Sequence, residues 1–101
     1  MSHELYHTDF AGCLNDRFQV VGEHAAPFDL ELIQVSEEKV AQKQRIFSVM
    51  FRGPTDKFMP QRTYQLKHHR LGVREIFLVP VGQDEQGFQY QAVFNHLIQS
   101  A

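Results

Sequence analysis

The chain has 101 residues with nine Phe, no Trp, one Cys and a formal charge of −2. That length fits one domain that buries roughly two-thirds of its unfolded surface, so neither metals nor disulfides are needed for folding. The balanced charge speaks against a nucleic-acid partner, which calls for a basic patch, and the lone Cys13 excludes an internal disulfide and suits a reducing compartment.

In chain order, a short helical turn is expected first, with Thr8 or Asp9 as N-cap and Phe10, Cys13 and Leu14 on one face. Asn15-Asp16 interrupts it. Arg17 to Val21 reads as a strand with Phe18 and Val20 on one face. A turn follows over Gly22 to Pro27. Phe28 to Ser36 is the second strand. Its apolar alternation through Phe28, Leu30 and Leu32 slips by one residue to Ile33 and Val35, the mark of a β-bulge. Glu37 to Gln44 is polar and reads as a loop or one helical turn. Arg45 to Arg52 is a third, strongly apolar strand, ended by Gly53-Pro54.

Phe58-Met59-Pro60 forms a loop with an apolar foot. Thr63 to Lys67 is the fourth strand, with Tyr64 and Leu66 facing one way, and His68 to Gly72 turns the chain. Val73 to Val81 is the fifth strand. Its run Ile76-Phe77-Leu78-Val79-Pro80-Val81 predicts burial on both faces, and Pro80 predicts an edge or a bulge. Gly82 to Gly87 is a hairpin loop. Phe88 to Phe94 is the sixth strand, with Phe88, Tyr90, Ala92 and Phe94 on one face. Six strands and little helix predict an all-β fold with a short N-terminal helix, over residues 1–101: a small antiparallel six-stranded barrel or sandwich.

The elements Phe51-Arg52-Gly53-Pro54, Pro60-Gln61, Tyr64, Leu66, His69, Leu71-Gly72, Phe77 to Gly82, Gly87, Tyr90 and Ala92 to Asn95 carry a resemblance. Together with Phe10-Ala11 and Leu30-Glu31-Leu32 they are similar to a small bacterial family of domains of unknown function. The resemblance spans most of the chain. It implies a context near phage-tail-collar-like genes and supplies no chemistry. At His69-Arg70 the chain departs from the proline that the family shows after the histidine.

No residue set reads as a catalytic or cofactor site. Six histidines invite a metal reading, but zinc needs three or four converging ligands. His68 and His69 are adjacent, so in a strand they point apart. Scattered, exposed histidines and no metal are expected. Cys13 reads as a small buried hydrophobe, not a nucleophile. Glu37-Glu38 and Asp84-Glu85 read as solvated loop charge. Arg52, Gln61 and Asn95 are polar positions at element ends. Arg52 is suited to grip a carboxylate with its planar fork or to tie its own loop, and Asn95 to cap a turn.

The expectation is therefore a non-enzymatic structural or interaction module without cofactors. It would bind a protein partner or itself through a strand edge or the loop carrying Arg52, Phe58, Met59 and Gln61, in a phage-tail-like or secreted assembly. The alternative is a barrel that binds a small molecule or carbohydrate, or acts as a small enzyme, in a mouth lined by Tyr64, Tyr90 and Phe94. Met1 to Tyr6 lacks the pattern of a signal peptide. No apolar run approaches the roughly 20 residues of a membrane span. A cytoplasmic protein is expected, with export inside an assembly left open.

Overall fold

The structure is a computed structural model, and it describes residues 5–22 and 28–97. The elements are α1 (His7–Ala11), β1 (Arg17–Val21), β2 (Phe28–Val35), β3 (Lys39–Ala41), β4 (Gln44–Gly53), β5 (Arg62–His68), β6 (Gly72–Asp84) and β7 (Gly87–Leu97). All pairings are antiparallel. The sheet runs β2-β1-β5-β6-β7-β4-β3, and β2 also pairs with β4. That extra pairing closes six strands into a barrel and leaves β3 as a flap on β4. The barrel-or-sandwich alternative is settled as a barrel.

Closure requires bent strands, and two irregularities supply the bends. The register shifts between Leu32 and Gln34 on β2, where the apolar alternation slips. It shifts again between Pro80 and Gly82 on β6, where proline cannot donate to a ladder. β6 pairs with β5 from Gly72 to Leu78 and with β7 from Val79 to Asp84. One strand thus serves two neighbours in succession.

Side chains alternate along each strand, so every second residue enters the barrel. Phe18 and Val20, Leu30 and Leu32, Phe47, Val49 and Phe51, Tyr64 and Leu66, Ile76 and Leu78, and Tyr90 and Ala92 form the core. Each large apolar side chain taken fully from water contributes about 1.5–3 kcal/mol. The core is strongly aromatic: Phe18 meets Phe51 edge-on at 5.2 Å, and Phe47 stacks on Phe94 at 5.0 Å.

Several expectations need correction. The Ile76 to Val81 strand is not buried on both faces: Ile76 and Leu78 point inward, while Phe77 is 50% exposed and Val81 49%. Among the described residues no second layer covers the barrel wall there, so period two prevails despite the apolar run. The stretch read as a loop over Glu37 to Gln44 holds β3. Its hairpin to β4 turns on Gln42 and Lys43, both at positive φ (51° and 64°), the geometry of a two-residue hairpin turn without its usual glycine. The helix starts earlier than expected: Asp9 lies inside its first turn and accepts from the Tyr6 backbone N–H at 2.8 Å. Leu14 falls past the helix end and is exposed. Asn95 caps no turn. It lies within β7, opposite Ile46. His3, His24 and most of the expected turn before β2 lie outside the described residues.

Both barrel ends are filled. At one end α1 inserts Phe10, which packs against Phe18, Phe47 and Phe94 with ring centroids 5.1–6.3 Å apart. At the other the loop between β4 and β5 inserts Met59, which is buried in the core cluster. Among the described residues no helix is long and apolar enough to cross a membrane.

Candidate functional site

Two places gather residues able to do chemistry or to bind. The first lies under α1. β5 places His68 inward, after Tyr64 and Leu66, so this histidine is 1% exposed. It is the buried polar residue of the described core, which corrects the expectation of scattered, exposed histidines. Its Nε2 lies 2.8 Å from Asp16 Oδ2. Its Nδ1 accepts from the backbone N–H groups of Arg70 at 3.1 Å and Leu71 at 3.2 Å. Both neighbours of Nδ1 are donors, so Nδ1 carries the lone pair and Nε2 the proton donated to Asp16.

Cys13 completes the group. It is fully buried and donates to the Asp9 carbonyl at 3.1 Å. Arg70 reaches over from the turn between β5 and β6, with Nη2 3.1 Å from Cys13 Sγ and 3.0 Å from the Gly12 carbonyl. The hydrogen bond to Cys13 is the largest influence holding the Arg70 guanidinium above its ordinary range. The charges of Asp16 and Asp9 act the same way, and desolvation opposes them.

The composition Cys13, Asp16, His68 suggests either a metal centre or a nucleophile with its base. The three ligand atoms lie within 4.8 Å of one another. Neither reading fits the hydrogen bonds. A metal on Nε2 would require the ring proton to move to Nδ1, where two backbone N–H groups already point. Arg70 also brings a fixed positive charge to the sulfur. A general base would need a free lone pair facing the thiol, and the one lone pair on His68 serves the turn. The cluster ties α1, β1 and the turn after β5 together. We therefore expect purified protein, dialysed without chelator, to carry only substoichiometric zinc by elemental analysis. A full equivalent, lost on His68→Ala, would contradict this account.

The second place is the loop from Gly53 to Gln61. Here the four candidate partner-binding residues separate. Met59 is 4% exposed, and its backbone N–H donates to the Tyr90 hydroxyl at 3.0 Å. Burial raises the Tyr90 phenol above its usual range, and that N–H partly offsets it. The Tyr64 hydroxyl donates to the Pro60 carbonyl at 2.5 Å. Phe58 is 58% exposed and stands edge-on to Phe88, ring centroids 5.3 Å apart. Gln61 is exposed at the start of β5.

Arg52 lies on the outer wall, with Nη2 3.4 Å from Asp84 Oδ2. Asp84 also accepts from the backbone of Gln86 and Gly87 and from the Gln89 amide. The Gln86 N–H contributes most to holding its carboxyl below the usual range. Arg52, Gln89 and Gly87 add to the effect, and desolvation works against it. Arg52 thus ties β4 to the hairpin between β6 and β7. Its Nε is buried with no partner among the described residues.

The three side chains expected to line a barrel mouth are packing groups instead. Tyr64 and Tyr90 are buried, and Phe94 stacks between Phe47 and Phe10. A groove of about 390 Å³ outside the barrel is lined by Arg17, Phe28, Asp29, Glu31, Arg52 and Pro54, among others. Lys57 lies over the Phe28 ring at 5.6 Å, so that face is not free to stack on a sugar.

A family model described as a domain of unknown function (DUF6916) matches residues 5–94. No curated protein and no solved structure matches the chain.

Proposed function

The chain belongs to the DUF6916 family of domains of unknown function, and from that premise we propose that it is a non-enzymatic interaction module that docks onto another protein chain through the loop between β4 and β5. The observation that carries this reading is the split between two adjacent side chains. Met59 anchors the loop in the core while Phe58 remains 58% exposed. A large apolar ring held outward on a fixed loop is the usual form of an interface anchor. The filled interior and the committed lone pair of His68 favour binding over catalysis. Arg52 and Gln61 flank the ring with polar groups suited to an interface rim. A phage-tail-like or secreted assembly is the context in which such a module would serve.

The adjacent positions make the test clean. Phe58→Ser should change stability by less than about 1 kcal/mol, because the ring is mostly in water. Met59→Ser should cost about 2–5 kcal/mol by opening the core and burying a hydroxyl. A photo-crosslinker at position 58, used in host extract, should trap a defined protein that Phe58→Ser no longer retains by affinity capture. No specific crosslink, together with turnover of a small molecule by the wild-type chain, would overturn the proposal.

A further inference from the structure

The arrangement around His68 has a consequence for acid conditions. Its Nδ1 accepts from the N–H groups of both Arg70 and Leu71 in the turn between β5 and β6. That turn also carries the Arg70 guanidinium that covers Cys13. Across the ring, Asp16 fixes the start of β1: its carbonyl accepts from the Leu32 N–H at 3.0 Å. The imidazole therefore joins the segment after α1 to the turn, and it does so with one proton and one lone pair.

We propose that His68 is a proton-operated latch: a second proton, arriving on Nδ1, opens the turn, withdraws Arg70 from Cys13 and uncovers the α1 end of the barrel. In the doubly protonated ring three N–H groups would converge with no acceptor among them. The groups facing His68 act in both directions. Asp16 favours the imidazolium, but its side chain is 36% exposed, so water screens the attraction. Arg70 opposes it as a fixed positive charge. His69, with its ring centroid 4.2 Å away, is the second imidazole beside it. Cys13 is fully buried and Phe18, 4.6 Å from the ring, is apolar. Neither accepts a proton from Nδ1. Asp9 lies beyond Cys13 and reaches Arg70 through its charge.

Cys13 is a built-in reporter. Its reaction with 4,4′-dithiodipyridine, which proceeds in acid, should accelerate at least ~tenfold from about pH 7.5 to pH 5, the range in which histidines change charge. His68→Asn keeps an acceptor near the position of Nδ1 and removes the titration, so its profile should stay flat. His69→Asn should keep the wild-type response. Nitrogen-15 spectra of the unmutated chain provide a readout independent of any variant. At neutral pH they should show the proton on Nε2 of His68. Acid should lower the protection of the Arg70 and Leu71 amides, taken relative to the intrinsic exchange rate at each pH, before that of the strands of the barrel. A proton on Nδ1 at neutral pH, matching profiles for wild type and His68→Asn, or loss of the response in His69→Asn would each overturn the proposal.

Discussion

Leu78→Ala is expected to destabilise the protein by about 2–5 kcal/mol, a large share of the roughly 5–15 kcal/mol that holds a domain together. Leu78 is fully buried on the inner face of β6, among side chains contributed by all six barrel strands. Removing its branched end leaves a cavity in a closed wall, and a closed wall collapses little. The natural control is one residue away. Phe77 is the larger side chain but points outward, half exposed. Phe77→Ala should cost less than about 1 kcal/mol. Urea unfolding of the two variants reads the difference directly. An unchanged midpoint for Leu78→Ala, or a larger loss for Phe77→Ala, would mean that β6 faces the other way.

Gly87→Ala should be at least as damaging, about 3–5 kcal/mol, for two additive reasons. Its φ is +147°, where L residues rarely sit, and a Cβ there would collide with the carbonyl oxygen of Gly53. Both partners are backbone, fixed by the Gly53–Phe88 register at the joined ends of β4 and β7, so neither can rotate aside. Gly72 separates the two contributions. Its φ is +76°, and a Cβ there meets nothing within 4 Å. Gly72→Ala should therefore cost only the left-handed backbone penalty, about 1–2 kcal/mol. Equal thermal midpoints for the two variants would refute the steric argument.

The sequence discloses the barrel because alternation survives on nearly every strand. The bulges on β2 and β6 were readable as a phase slip at Ile33 and a proline at position 80. Both are local events with local causes. Two features were hidden for opposite reasons. β3 is three residues long, and its turn uses Gln42-Lys43 where Asn-Gly or Asp-Gly would have signalled a hairpin. The outward exposure of Phe77 and Val81 was masked by their own hydrophobicity, since composition alone cannot say whether a second layer exists. The His68 cluster was missed although its signal was present: Tyr64 and Leu66 set a period of two that lands on His68. Asp16 lies 52 residues from His68, and Cys13 lies 57 from Arg70; the β1–β5 pairing brings the two halves of the cluster together. The Phe58 and Met59 loop was legible as an apolar foot. Which of the two rested inside was not, because a loop has no period.

The order of strands around the barrel also sets the order in which it can assemble. β5, β6 and β7 are consecutive and can zip as a meander. Closure then needs β1 to find β5, with Gln19 opposite Lys67, and β4 to find β7, with Gln44 opposite Leu97. Each of those steps closes a loop of roughly half the chain before any contact compensates the lost entropy. Folding on the millisecond-to-second scale follows, as for other sheets built from distant pairings. α1 rests on strands from both halves, and the His96 ring reaches the Leu5 carbonyl at 2.7 Å. Its binding surface does not exist until the wall is shut. The segment before β1 should therefore be the last to dock during folding and the first to leave when the domain begins to unfold.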